Sequence, residues 1–322
     1  MLTIAYVTSR KDSKIEWFYD SLKAANDFND LRIVVISSHM DENEFRWTPL
    51  TIPEKDVPEG ERPDAFVSIT CPKPSVWQGK YRLTKQDWFA AANARNTALC
   101  MAKDGWIAYV DDLSVLMPGW MKSVREAMRD NAIVCGAYKK VRQMVVENGA
   151  VKSFTAYPGG EDNRSKHVRQ DVTSCGGNWL YGCSLVGPVE AFLSVNGWPE
   201  DLCDGLSFED VCMGIVLKNA GWELRYDRRM MTYESEEDHH REPAFRREDW
   251  HKENGVFVTG GNGNDDKSHA ALNIALQSKS FPNSFGEGGI RELRRRILAG
   301  EPFPIRSSPD RDWYTGKLLS EL

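Results

Sequence analysis

The sequence predicts an α/β fold in which a mostly parallel central sheet is flanked by helices and followed by a helical, irregular C-terminal extension. Two observations carry this. Apolar, β-branched runs alternate with segments of helical periodicity, and the first three elements already read strand, helix, strand. A parallel pair joined by a right-handed crossover is the simplest unit that such an order builds. The 322 residues, 41% hydrophobic and 27% charged, suffice for one large domain with appendages or for two smaller ones.

In order along the chain, TIAYVTS (3–9) reads as a strand. In SKIEWFYDSLKAANDF (13–28), Ile15, Phe18, Leu22 and Ala25 recur at helical spacing, and LRIVVISS (31–38) is a second strand. Residues 39–80, rich in proline and charge, form a long excursion. The alanine-rich TKQDWFAAANARNTALCMAKDG (84–105) predicts a helix stopped by Gly105, and WIAYV (106–110) the next strand. GWMKSVREAMRD (119–130) is helical, AIVCGAYKKV (132–141) a strand, and the segment after it a hairpin around Asn148-Gly149. GGNWLYGCSLVG (176–187) reads as strand. PVEAFLSVNG is a short helix with Pro188 at its start and Gly197 past its end. A helix opened by Ser207 covers 207–221, and WELRYD follows it as a strand. TGGNGNDDKS (259–268) is a flexible loop. IRELRRRILAG (290–300) is an amphipathic surface helix with Arg291, Arg294 and Arg295 on one side and Leu293 and Ile297 on another.

Composition excludes several classes. A net charge of −6 argues against a surface built for general nucleic-acid binding. No apolar stretch is long enough for a membrane span, and the N-terminus lacks the apolar segment of a signal peptide. The seven scattered cysteines form no CxxC pair, which points to free thiols in a reducing, cytoplasmic setting and to a soluble protein. The loop at 259–268 lacks the glycine that a phosphate-binding P-loop needs directly before its lysine.

Two acidic pairs stand out. Asp111 and Asp112 end the strand WIAYV, and ligands of open α/β sheets gather beyond such strand ends. Adjacent like charges there form a solvated turn or hold a cation. Glu209 and Asp210 open a helix, where acids cap the positive end of the dipole or, held at a cleft, serve as a general base. His239 and His240 follow an acidic run, either as part of a solvated loop or with one imidazole completing a divalent metal site.

Together YVDDLSVLMPGW, ANARNTAL, GGNWLYGCSLV and NGWPEDLCDGLSFEDVCMGIVLKNAG, with the histidine-bearing loop, resemble the GT-A-fold glycosyltransferases of the family 2 type and the related galactosyltransferase C-terminal "FED" module. The resemblance covers roughly residues 2–240. It implies a Rossmann-like GT-A domain over 1–250, with a donor half at about 1–120 and an acceptor half at about 121–250, and an extension over 251–322. It implies a nucleotide-sugar donor, most commonly a UDP-sugar, and a divalent metal, Mn²⁺ or Mg²⁺, bridging the acids and the donor diphosphate. By resemblance Asp210 is the base that deprotonates the acceptor hydroxyl, with inversion at the anomeric carbon, and Glu209 binds the acceptor or orders its loop. Asp112 takes the metal and Asp111 the ribose or a metal-bound water. The metal's imidazole is left open between His239 and His240.

The same resemblance sets Thr8, Ser9 and Arg10 beside the nucleoside, with Ser37 and Ser38 near them. Arg95 meets the diphosphate, or pairs with Asp111 or Asp112 when no donor is bound. Gly177, with Gly176, lets backbone approach the donor, and Trp179 stacks on a sugar or sits in the core. One position departs from the pattern: counted back from Pro118, Leu113 stands where relatives carry a third acid. The acceptor is a hydroxyl on a glycan, a protein, a small molecule or a modified DNA base. Two alternatives remain. A nucleotidyltransferase acting on sugar phosphates normally has a glycine-rich loop, which TSRKDSK lacks. A non-catalytic nucleotide- or glycan-binding module of the same fold is favoured by Leu113 and opposed by Glu209-Asp210.

Overall fold

The computed structural model describes residues 1–10, 12–25, 27, 30–37, 49–50, 66–73, 90–203, 208–236, 266–283 and 285–301. Strand β1 (Leu2–Thr8) is buried along its whole length, and its alternate residues enter two different cores. Ala5 and Val7 face one, Leu2, Ile4 and Tyr6 the other, so both sheet faces are covered. On the second face lie α1 (Ile15–Ala24), whose Phe18 and Leu22 are fully buried, and, after β2 (Leu31–Ser37), β3 (Pro49–Leu50) and β4 (Phe66–Thr70), the later helix Trp120–Asp130. On the first face lies α2 (Ala91–Met101), every residue of which is buried. Its alanines allow that: small side chains let neighbouring elements close on all sides of one helix.

β5 (Trp106–Asp111) pairs in parallel with β1, β1 with β2, and β2 with β4. This is the expected parallel half. Beyond β5 the sheet is mixed. After β6 (Ser114–Leu116) and α3 (Trp120–Asp130) come β7 (Ile133–Glu147) and β8 (Ala150–Glu161), an antiparallel hairpin turned by Asn148 and Gly149, both at positive φ. The edge strand β9 (Val172–Ser174) follows, then β10 (Ser184–Pro188), which runs antiparallel to both β5 and β7 because hairpin and turns, not a crossover helix, lead into it. β10 is followed by α4 (Val189–Ser194), α5 (Glu200–Cys203) and α6 (Glu209–Asn219). β11 (Leu224–Ser235) is parallel to β7 and antiparallel to β6.

α7 (Asp266–Gln277) and α8 (Gly289–Leu298) pack on the α2 side. Ile290, Leu293 and Ile297 bury the expected apolar stripe of α8. Arg294 does not share the exposed side with Arg291 and Arg295. It is buried, and its guanidinium donates to the Ala102 carbonyl at 2.8 and 3.1 Å, satisfying the C-terminal end of α2. The expected strand at 176–187 begins only at Ser184. Gly177–Trp179 form a 3-10 turn instead, because Gly177 lies against the backbone of Gly214 and Ile215 in α6. β4 lies inside the stretch expected to be an excursion. Among the described residues no helix is long and apolar enough to cross a membrane.

Candidate active site

Arg95 is the centre of the site. Its helix is buried, so its charge needs partners. One guanidinium nitrogen pairs with Asp111 Oδ1 at 3.0 Å, another with Glu209 Oε1 at 3.2 Å, and the group lies 4.7 Å from the Trp198 ring centroid. Burial works against the charge, but Asp111, Glu209 and Asp210 outweigh it and hold Arg95 protonated. Gly182 closes over the guanidinium: a Cβ there would fall 2.4 Å from a guanidinium nitrogen, so a larger residue would displace Arg95.

The two acids at the end of β5 diverge. Asp111 stays a third exposed (33%). Asp112 turns inward, where its Oδ2 accepts from Thr8 Oγ1 at 2.6 Å and ion-pairs with Arg10 Nε at 3.2 Å. The Arg10 amide donates to Thr8 Oγ1 at 3.0 Å, which closes the group, and Ser9 lies between them on the same strand end. Burial pushes Asp112 up to about 6, against the pull of Arg10 and Thr8. The next residue, Leu113, is buried at positive φ. Its amide donates to Tyr6 Oη, and its carbonyl accepts from the Ser235 amide. The position where a third acid would stand is thus a left-handed anchor for the turn from β5 to β6.

Phe208, also at positive φ, turns the chain into α6 and sets Glu209 and Asp210 in its first turn. Asp210 Oδ1 accepts from the Val211 amide at 2.7 Å, and Oδ2 from the Gly182 amide at 3.4 Å. Burial, then the neighbouring Glu209 charge, raise Asp210 to about 7, with Arg95 opposing. A carboxylate held near neutrality by burial is suited to accept a proton.

A fifth acid does not stand out in the sequence. Glu234, near the end of β11, is buried and accepts from Thr232 Oγ1 at 3.0 Å. Burial and then the Asp111 charge raise it to about 7, with Lys140 opposing. Only the register that sets Glu234 beside Lys140 reveals it; in sequence it is one of several acids in a charged run. Cys183 faces the same group, and burial with the Glu234 and Asp111 charges keeps its thiol protonated.

Other expected residues lie elsewhere. The space freed at Gly177 is filled by α6, giving this glycine a packing role. Trp179 packs edge-on to Tyr226 at 5.6 Å, and its carbonyl accepts from Arg164, so its ring belongs to the core margin. Ser38, His239 and His240 lie outside the described residues. Among the described residues no three His, Cys, Asp or Glu side chains form a metal-binding group.

Residues 73–187 match the sequence model of glycosyl transferase family 2. This segment, about a third of the chain, holds Arg95, Asp111, Asp112, Gly182 and Cys183 and ends before Glu209 and Asp210. No match was found among curated proteins. Among solved structures, the chain is similar to S. aureus TarS 1-349, at 13% identity and a TM-score of 0.46 over 73% of this chain and 60% of that one. It is similar to GalNAc-T7 with UDP, GalNAc and Mn²⁺, at 11% identity and a TM-score of 0.48 over 94% and 59%. For S. aureus TarS 1-349 in complex with UDP the values are 13%, 0.47, 85% and 69%. The chain thus spans about three fifths of the length of the first two.

Proposed function

We propose that this chain is a glycosyltransferase that moves a sugar from a nucleoside-diphosphate sugar, a UDP-sugar first among them, to an acceptor hydroxyl with inversion. The observation that carries the reading is Asp210: a buried carboxylate near 7, oriented by two backbone amides, across Arg95 from the acids of β5. The match of residues 73–187 supports it. In the reaction the acceptor oxygen attacks the anomeric carbon as the bond from that carbon to the diphosphate oxygen breaks. The hydroxyl proton passes to Asp210, and the nucleoside diphosphate leaves with the electron pair. Arg95 holds Asp111 and Glu209 in place on either side of this path, and its guanidinium suits a diphosphate once an acid releases it. Thr8, Ser9 and Arg10 are assigned to the nucleoside end.

The divalent cation that the resemblance implies fits one of the two β5 acids. Asp111 is part-exposed and uses Oδ1 on Arg95, which leaves Oδ2 for a ligand, whereas Asp112 is engaged by Thr8 and Arg10. Mg²⁺ and similar ions are commonly held by one or two carboxylates plus substrate phosphates. Asp111 is therefore the residue that would hold Mn²⁺ or Mg²⁺, and the ion would supply Lewis-acid stabilisation of the leaving group.

A thermal-shift screen of nucleotide sugars, with and without Mn²⁺, tests the reading. A UDP-sugar at about 100 times its Kd is expected to stabilise the fold by about 2.7 kcal/mol. Mn²⁺ should strengthen that shift, and Asp111→Ala should remove the gain. Shifts only with nucleoside triphosphates and sugar phosphates would turn the assignment to a nucleotidyltransferase. Binding without turnover of any donor would turn it to a non-catalytic module, the reading that the buried Leu113 favours.

A further inference from the structure

Alternate residues of β7 share one face, and Tyr138, Lys140 and Arg142 form such a column. In register beside it, Thr232 faces Tyr138 and Glu234 faces Lys140. Glu234 feels the Asp111 charge, so the column starts at the site. Tyr181 joins it to the other acids: its ring lies 6.0 Å from Tyr138, and the Asp210 charge acts on its hydroxyl. At the far end the exposed Arg142 lies 4.7 Å over the Tyr157 ring from β8.

Charge is graded along this line. Asp111, Glu209, Asp210 and Glu234 gather at the inner end. Lys140, midway, pairs with Glu236 at 2.6 Å. Arg10, Arg95 and Arg164 each pair with an acid as well. Among the described residues, Arg142 has no carboxylate partner and uses its guanidinium only on Tyr157. The four residue steps from Tyr138 to Arg142 span about 13 Å, the length of two to three linked sugars. Tyr181 and Tyr138 lie at its inner end beside Arg164, and Tyr157 at its outer end under Arg142, all three half-buried. Aromatic edges and faces left open there are suited to sugars, and an exposed guanidinium to a carboxylate or phosphate.

We infer that the β7–β8 hairpin is the acceptor platform, and that it takes an extended acidic glycan whose hydroxyl end lies at Asp210 and whose anionic group lies on Arg142. The inference rests on the glycosyltransferase reading and names its substrate class. A neutral end beside the acids avoids repulsion there, and an anion about two sugars away meets the exposed guanidinium of Arg142.

The test is binding of two tetrasaccharides to the full chain in the presence of UDP: hyaluronan tetrasaccharide, which carries carboxylates, and neutral chitotetraose. The acidic probe is expected to bind at least about tenfold more tightly at low salt, with the advantage shrinking as salt screens it. Arg142→Ala should abolish the advantage, Arg142→Lys should restore part of it, and Tyr157→Ala should weaken the acidic probe. Equal affinity for the two probes, an unchanged preference in Arg142→Ala, or tighter binding of a single-stranded deoxyoligonucleotide than of the acidic probe overturns the inference. UDP affinity, read in the same titrations without saccharide, separates the two readings. If UDP binds and the acidic preference is absent, the platform alone is wrong; if neither UDP nor any other nucleoside diphosphate binds, the glycosyltransferase reading itself fails.

Discussion

The pairs Asp111-Asp112 and Glu209-Asp210 look alike in the sequence, yet the fold gives their members different work. In each pair one acid rests on Arg95: Asp111 from the end of β5, Glu209 from the start of α6. The other acid of each pair turns into a buried pocket. Asp112 is bonded there by a cation and a hydroxyl, Arg10 and Thr8, whereas Asp210 is hydrogen-bonded by backbone amides and feels Arg95 through its charge alone. Burial raises both, Asp112 to about 6 and Asp210 to about 7. A buried carboxylate with its own cation is an anchor. One that shares its cation with two other acids, and has a like charge beside it, is ready to take a proton.

Removing the shared cation breaks the comparison at its centre. Arg95→Ala leaves Asp111, Glu209 and Asp210 without their common countercharge, and loss of one partner from a buried network costs about 3–5 kcal/mol. Urea denaturation should show a fall of that size. Arg95→Lys should recover only part of it, because an ammonium cannot reach both acids as the planar fork does. A smaller effect sharpens the contrast within the second pair. The Glu209 charge helps to raise Asp210, so Glu209→Gln should lower the Asp210 midpoint. The base acts deprotonated: transfer rises with pH through about 7 in the wild type, and in Glu209→Gln the rise should come at lower pH. An unmoved acid limb would assign it to another group, Glu234 first.

The smallest effect is on stability. Asp210 has a folded value above its ordinary one, so the folded state binds the proton more tightly than the unfolded chain does. The wild type therefore loses stability as pH rises from the ordinary carboxylate range to about 7. Asp210→Asn escapes that loss and should be more stable than wild type at pH 8, but not at pH 4. Asp112→Asn should show no such gain, because it removes the charge that pairs with Arg10 and accepts from Thr8. Thermal melts at the two pH values check both variants.

How far these features could be read from the sequence follows the range of the interactions behind them. Helix α3 was legible because Trp120, Met121, Val124 and Ala127 repeat at helical spacing and are its buried residues. The hairpin was legible because Asn148-Gly149 favours positive φ whatever surrounds it. The two acidic pairs could be seen as local clusters, but their division of labour could not. It depends on Arg95, Arg10 and Gly182, which meet the acids only across elements. Glu234 was hidden for the same reason, since the pairing of β11 with β7 makes it part of the site. The 3-10 turn at Gly177 replaced an expected strand because of α6, 37 residues on in the chain at Gly214. Arg294 read as a surface residue because helical periodicity does not show that the Ala102 carbonyl awaits it. The third acidic position was legible as a departure, and the structure adds its cause: Leu113 is a buried turn anchor.

We propose that Asp210 accepts the proton while Asp112 holds the nucleoside end together. It is tested most directly by measuring transfer rate and UDP affinity side by side in wild type, Asp210→Asn and Asp112→Asn. Asp210→Asn is expected to lose about 10²–10⁴-fold in turnover, the usual worth of a general base, with UDP affinity nearly unchanged. Asp112→Asn is expected to lose UDP affinity. Transfer by Asp210→Asn at the wild-type rate, or loss of UDP affinity in Asp210→Asn with turnover intact at saturating donor, would contradict the assignment.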